Sequence, residues 1–310
     1  MDLSIVIVNW NAGDYLKQCL NSIYENSSGL KIEIIVVDNN SSDNSSGMLK
    51  SSFPAVKYIA NNVNVGFGAA NNQGIRVCAS EYILLLNPDT IVLPGALLTM
   101  VRFMESKADV GAIGPKILNP DKTIQYECAR NAPTPLSEFF VMMTLHKRFP
   151  KSKLFGRYLM SYWDHEDEME VEMLSGACAM MRKQAFDRIG MFDEKYFMYA
   201  EDTDLFRRIK EGGWKIRYVP SAVIVHYWGK SAAAAPYAMA VEAKKSMERY
   251  FKKHCGLFYV ILHRIFTLIA SLCMVAACLI MYLNIFDRKK TNLRMILIKH
   301  LYIMKWSIWI

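Results

Sequence analysis

Several short segments place carboxamides and carboxylates directly after apolar runs. Asn9 and Asn11 follow Ile5-Val6-Ile7-Val8, and Asp38 and Asn40 follow Ile34-Ile35-Val36-Val37. Asn64 and Gly66 come after residues 56–60, and Asn87 and Asp89 come after Leu84-Leu85-Leu86. Read singly, each is an ordinary turn, since Asn and Asp bond their own backbone. Four in succession at strand ends point to a shared site. A carboxylate such as Asp38 at a strand tip can accept from a base N–H or a ribose hydroxyl. A lone carboxylate such as Asp89 can hold a hard divalent cation when a diphosphate and water fill the other positions; a plain strand-ending turn explains it equally well. Gly66-Phe67-Gly68 opens a small-residue helix carrying Asn71, and a helix N-terminus with close backbone approach favours phosphate. It lacks the GxGxxG spacing of a dinucleotide fingerprint and follows the third strand, not the first.

Two further motifs lie downstream. Glu201-Asp202-Thr203-Asp204 follows Phe197-Met198-Tyr199. Acidic residues suit the first turn of a helix as dipole partners. Beside three large apolar residues a carboxylate also becomes a better base. His226 precedes Tyr227-Trp228-Gly229-Lys230. A single histidine at a strand end is most often structural; with glycine and lysine after it, it also fits a metal or phosphate corner.

The elements that would position these groups alternate strand and helix. Strands are expected at residues 3–8, 31–37, 56–60, 82–86 and 110–113, with helices at 12–25, 68–80 and 94–105 and a polar loop with a short helix at 41–51. This order implies βαβ crossovers and a mostly parallel sheet covered on both faces, an α/β fold. Open α/β sheets bind ligands at the carboxyl ends of their strands, where these Asn and Asp residues fall. Residues 119–172 read as an irregular region facing a second ligand. A strand at 173–181, helices at 183–189 and 201–211, strands at 215–219 and 222–225, and a helix at 231–254 follow.

The chain of 310 residues has a net charge of +8 and 52% hydrophobic residues, which excludes a disordered or collagen-like chain. The charge is uneven: residues 241–310 hold 12 basic and 3 acidic side chains, and the first 240 residues are close to neutral. A nucleic-acid binder would carry its basic patch on the folded body. Seven Cys, an odd number without a CxxC pair, fit reduced cytosolic thiols. The start, Met1-Asp2-Leu3-Ser4, is not that of a signal peptide. Residues 265–286 carry no charge and are long enough to span a hydrocarbon core of ~30 Å. Basic residues flank this run on both sides, which fits a segment that enters and returns on one face, or lies in the interface, better than a single span. The division expected is 1–240 as the globular body, in two halves at 1–118 and 119–240, and 241–310 as a basic, apolar, membrane-associated helical tail.

In this order the motifs from Ser4 to Ser231 resemble the family 2 glycosyltransferases of GT-A fold, in particular the rhamnosyltransferase-like branch. The resemblance implies a nucleotide-sugar-binding fold and a single inverting displacement with Mg²⁺ or Mn²⁺. Asp38 would contact the base, with Asn9, Asn11, Asn40, Asn64, Gly66, Asn71 and Asn87 on the nucleotide side. Asp89 would be the surviving carboxylate of the family's DxD element, Asn87 standing at its first position, and His226 would complete the metal corner. Asp202 would be the general base, with Gly176, Ala177, Glu201 and Trp228 on the acceptor side. The partners implied are a nucleotide sugar, best matched by dTDP-L-rhamnose, a lipid-linked or polysaccharide acceptor, and membrane lipid at the cytoplasmic face. Two other classes remain: a nucleotidyltransferase of sugar phosphates, against which the absence of Lys or Arg in Asn9–Asp14 counts, and a non-catalytic membrane-anchored binder.

Overall fold

In the computed structural model the described residues are 1–227, 236–284 and 290–308, without the side chains of 236, 282–284 and 290–292. Trp228, and the Gly229-Lys230-Ser231 stretch after it, lie outside them, as do 286, 288, 289 and 309 of the expected tail. The elements in chain order are β1 (Leu3–Asn9), α1 (Gly13–Glu25), β2 (Ile32–Asp38), α2 (Ser45–Ser52), β3 (Lys57–Ala60), α3 (Phe67–Arg76), β4 (Tyr82–Leu86), β5 (Thr90–Val92), α4 (Ala96–Ser106) and β6 (Val110–Leu118). Then come a 3-10 turn (Tyr126–Cys128), β7 (Ala129–Arg130), α5 (Pro135–Met142), α6 (Leu145–Arg148), β8 (Met169–Glu170), β9 (Met173–Leu174), β10 (Cys178–Arg182), α7 (Lys183–Ile189), α8 (Glu201–Glu211) and β11 (Lys215–His226). Three helices close the chain: α9 (Pro236–His254), α10 (Leu257–Asn284) and α11 (Lys290–Ile308).

The chain divides into two units, Met1–Ala132 with Asp164–Ser231, and Pro133–Trp163 with Ala232–Ile310. This differs from a cut at 240, because the first 31 residues of the second unit come from the middle of the chain. There the stretch expected to be irregular forms α5, started by Thr134, which accepts from Ser137 N–H at 3.1 Å, and by Pro135 in the first turn.

The first unit is built on a nine-stranded sheet in the order β3-β2-β1-β4-β10-β6-β11-β5, with β8 on β11. β1 and β2 are almost wholly apolar and buried on both faces, with α3 packed against them. Six strands, β1 to β4, β6 and β11, run the same way, as the alternation of strand and helix predicts. β10 enters antiparallel between β4 and β6, and β5 and β8 pair antiparallel with β11, so the sheet is mixed.

Three differences from the expected elements matter for the site. The strand expected at 173–181 breaks at Ser175-Gly176-Ala177, where Ser175 Oγ accepts from Ala177 N–H at 3.2 Å. The two strands expected at 215–225 are one, with a register shift around Pro220, which has no N–H to donate. And β5, three residues long and unforeseen, sets Thr90 opposite His226. Helix α3 also stops at Arg76, short of residue 80, and lies close on the sheet: a Cβ on Gly74 would run into the Val6 side chain.

In the second unit α10 and α11 form an antiparallel pair. His300 lies against Ser271 (Nδ1 to Oγ 3.3 Å), and Trp306 lies against His263 and Arg264. Arg264 donates to both carboxylate oxygens of Glu248 on α9, at 2.7 and 3.0 Å. Phe139 of α5 packs on Phe266 of α10. The segment Leu257–Met281 is long and apolar enough to cross a membrane, and only 22% of its apolar window is buried. Phe258, Ile261, Ile265, Ile269 and Leu272 are exposed along it, while His263, Thr267 and Ser271 point inward. A core helix of a soluble protein has the reverse arrangement.

Candidate active site

The polar groups gather where β1, β2 and β4 end. The β1/β2 register sets Asn9 beside Asp38, and Asn9 Nδ2 donates to Asp38 Oδ1 at 2.7 Å and to Ser41 Oγ at 3.1 Å. Ser41 in turn donates its hydroxyl to Oδ1 (2.7 Å) and its N–H to Oδ2 (2.9 Å) of Asp38. Asn11, at φ 51°, accepts from Ser42 N–H at 2.7 Å and donates its own N–H to Ser41 Oγ at 2.9 Å. The loop after β2 is therefore pinned to the loop after β1. Asn40 is exposed there at φ 64°. Asn9 Oδ1 is buried and has no partner among the described residues, as a group does when it awaits a donor.

The next strand end is tied to the loop before α8. Asn64 Oδ1 accepts from Gly66 N–H at 3.0 Å, and Gly66 C=O accepts from Asn39 at 3.2 Å. Gly66 sits at φ +90°, and a Cβ there would lie 2.5 Å from the Phe197 carbonyl, which accepts from Phe67 N–H. Only glycine fits. Asn71 is not part of this cluster: its amide donates to the Phe67 carbonyl one turn back.

Asp89 and His226 meet through β5. Antiparallel pairing of β5 with β11 places His226 opposite Thr90, so its Nε2 lies 3.2 Å from Asp89 Oδ1. Asn87 Nδ2 is 3.5 Å from the same nitrogen, and Asn87 Oδ1 is buried without a partner among the described residues. No cluster of three His, Cys, Asp or Glu occurs among the described residues, so protein groups alone would not enclose a cation. The donor set still fits a hard or borderline divalent ion: one carboxylate oxygen, one imidazole nitrogen and a spare amide oxygen, with a diphosphate to complete it. At 3.2 Å the two groups form a hydrogen bond if Nε2 carries a proton, and a ligand pair for a shared cation if it does not.

The Ser175–Ala177 loop lies between this corner and Asp202. Asn87 N–H donates to Ala177 C=O at 2.9 Å, and Gly176 N–H donates to Asp202 Oδ2 at 3.3 Å. It lies there because β10 starts where β4 ends, Cys178 pairing with Leu86. Asp202 stands in the first turn of α8, after Tyr199 and Ala200 at φ 69° and 59°, a left-handed pair that turns the chain sharply into the helix. Arg130 donates to Oδ2 at 2.9 Å and to the Leu174 carbonyl at 2.7 Å. Thr203 N–H donates to Oδ1 at 2.7 Å. The Asp202 side chain is 18% exposed, whereas Glu201 is buried and its Oε2 has no partner among the described residues. Asp204 is fully buried and paired with Arg208 at 2.8 Å. Arg130 was not expected from the sequence: it lies in a two-residue strand and gains meaning only from Asp202, 72 residues away.

Burial, with the Asp202 carboxylate beside it and Arg130 opposing, pushes Glu201 from the ordinary 4.5 up to about 8. The folded state thus holds a proton on Glu201 that the unfolded chain has released. That contribution to stability is whole below about pH 4.5 and is lost as the pH rises through about 8. Glu201→Gln should therefore flatten the fall of melting temperature between pH 5 and 9. Melting curves of wild type and variant that stay parallel across this range would contradict it.

With this geometry in view, comparison with known proteins gives the class. The model of Glycosyl transferase family 2 matches residues 4–190, and the chain belongs to that family. It is an enzyme of GT-A fold. It is 28% identical over 266 residues to the N-acetylglucosaminyl-diphospho-decaprenol L-rhamnosyltransferase of Mycobacterium tuberculosis, covering 82% of this chain and 85% of that one. To rhamnosyltransferase WbbL of Escherichia coli K12 it is 30% identical over 236 residues, covering 72% and 82%. Among solved structures it resembles a Pyrobaculum calidifontis mannosyltransferase in complex with GDP-Man and Mn²⁺, with a TM-score of 0.59 at 16% identity over 99% of this chain and 88% of that one.

Proposed function

We propose that the chain is an inverting rhamnosyltransferase, moving L-rhamnose from dTDP-L-rhamnose to a lipid-linked diphosphate acceptor at the cytoplasmic face of the membrane, in the making of a cell-surface glycan. The observation that carries it is the pairing of two sites across one short loop: Asp89–His226 on one side of Ser175–Ala177, and Asp202 on the other. The donor diphosphate would lie at the first and the acceptor hydroxyl at the second. Relatives named as an L-rhamnosyltransferase and a rhamnosyltransferase, each matching more than two thirds of the chain, support the sugar.

In this reading the loops after β1 and β2 hold the nucleoside, with Asp38 as the fixed acceptor. Asp89 and His226 would hold Mg²⁺ or Mn²⁺, which neutralises the leaving diphosphate. Asp202 takes the acceptor proton as the hydroxyl attacks the anomeric carbon from the face opposite the diphosphate. Arg130 and Gly176 N–H fix Oδ2, so the carboxylate is oriented before the acceptor arrives. One displacement completes transfer without a covalent intermediate. Release of dTDP from dTDP-L-rhamnose that depends on a polyprenyl-diphosphate-linked glycan acceptor is the expected result. Turnover with a UDP-sugar and none with dTDP-rhamnose would overturn the donor assignment.

The second unit supports membrane attachment. Its exposed apolar face on α10 suits lipid, and α11 returns antiparallel along α10, as a segment that enters and leaves on one side would. The full-length protein should sediment with membranes and need detergent for release. A tag at residue 310 should stay closed to protease added outside intact cells. A chain soluble without detergent, or a tag cut from outside, would contradict the attachment and the one-sided arrangement respectively.

A further inference from the structure

The turn after β6 carries a chain of hydrogen bonds whose direction can be assigned from donors and acceptors alone. Leu118 pairs with Ile124 across this turn, and Asn119 N–H donates to Thr123 C=O at 2.7 Å. At its far end, Thr123 Oγ1 is 2.6 Å from Asp121 Oδ1. Bonds from the Thr123 hydroxyl and N–H hold the Asp121 carboxyl below the usual carboxylate range, so Asp121 accepts. The one hydroxyl proton of Thr123 is thereby used. Asn119, 2.9 Å from Thr123 Oγ1, must approach with its NH₂ and therefore turns its Oδ1 the other way. That Oδ1 lies 2.9 Å from the amide of Gln125, which must also present NH₂. The same Gln125 nitrogen donates to the His226 carbonyl at 2.7 Å, a second and independent reason for the same amide orientation. Gln125 Oε1 is left facing His226 Nδ1 at 2.9 Å, and an amide oxygen can only accept.

We propose that Gln125, oriented by the Asp121–Thr123–Asn119 chain, is a positioning residue that keeps the ring proton of His226 on Nδ1 and so turns the Nε2 lone pair toward Asp89 as a cation ligand. The inference rests on the reading of Asp89 and His226 as the cation corner and extends it to a residue that touches neither cation nor sugar. The burial of Gln125 and its approach to both the ring and the carbonyl of His226 give it the geometry of an outer-shell partner, whose loss typically weakens metal affinity by about 10- to 100-fold. In its absence the Nδ1 proton has no assigned acceptor, and the ring is free to carry its proton on Nε2, where it would face the cation.

The test is spectroscopic and needs no turnover. Full-length protein with ¹⁵N-labelled histidine in detergent, its His226 signal assigned by loss in His226→Asn, is examined with Mg²⁺ and dTDP. The expected result is a protonated Nδ1 and a bare Nε2 in the wild type. In Gln125→Met that pattern should be lost, and Mn²⁺ affinity in the presence of dTDP should fall about 10- to 100-fold while the melting temperature without metal reports that the fold persists. A wild-type ring protonated on Nε2 overturns the inference without any variant, so a Gln125→Met protein that fails to fold does not shield it. An unchanged ring pattern or unchanged Mn²⁺ affinity in a folded Gln125→Met overturns it as well. Unchanged Mn²⁺ affinity in His226→Asn instead removes the cation corner itself, and the two failures are thereby distinguished.

Discussion

Asp202→Asn should lower turnover by about 10²-fold or more while nucleoside diphosphate binding survives. The substitution keeps the shape and one acceptor oxygen, which can stay with Arg130 and Gly176 N–H, while Thr203 N–H loses its acceptor to the new NH₂. What it removes is the capacity to take a proton. Asp202 is contacted by Arg130 from β7, Gly176 from the loop before β10 and Thr203 from α8 itself. None comes from the loops after β1 and β2, so nucleoside binding should not feel the change. Single-turnover rates and dTDP affinity measured on the same preparation check both halves. A normal rate would exclude Asp202 as the base, and neither neighbour replaces it as placed: Glu201 is buried with its proton held up to about pH 8, and Asp204 is sealed in its pair with Arg208. Lost dTDP binding would make Asp202 a structural residue.

The division between what was legible in the sequence and what was not follows sequence separation. Helices α7 and α8 have the bounds that periodicity predicts, since their signals are local: an amphipathic repeat closed by Gly190 and by Gly212. The strand-end cluster was legible because Asn9 and Asp38 each sit directly after a buried apolar run, and parallel register then brings them together. β5 was not, because three residues are too few to show a period of two. Yet β5 is what brings His226 to Asp89. The antiparallel entry of β10 is a choice of tertiary packing, and no residue of Cys178–Arg182 encodes direction. Gln125 and Arg130 are single polar letters in a stretch rich in proline, and their partners His226 and Asp202 lie 101 and 72 residues further on. Helix α5 is different: Thr134-Pro135-Leu136-Ser137 carried a start signal, masked by the surrounding prolines.

Asp89→Ala should abolish transfer and remove most of the dependence on divalent metal, with weaker binding of nucleoside diphosphate. The size of the effect follows from how little else is there. Asn87 can offer an oxygen but no charge, and no other His, Cys, Asp or Glu completes a cluster of three among the described residues. Asp89 is therefore the sole negative charge in the proposed corner. Removing it leaves a divalent ion with one imidazole and the ligand's own phosphates, and removes the fixed charge that would hold the metal before the diphosphate departs. The variant should still fold. The backbone of the turn is held independently of the carboxylate, by Tyr227 N–H donating to Asp89 C=O at 2.9 Å and by Thr90 Oγ1 donating to Asn87 C=O at 2.8 Å. A melting temperature close to wild type, measured without metal, separates lost chemistry from lost structure. The metal titration is the sharper measurement: wild-type transfer should stop with EDTA and return with Mg²⁺ or Mn²⁺, and Asp89→Ala should respond to neither. Wild-type activity unchanged by EDTA would sink the cation reading and leave Asp89 as a buried partner of His226.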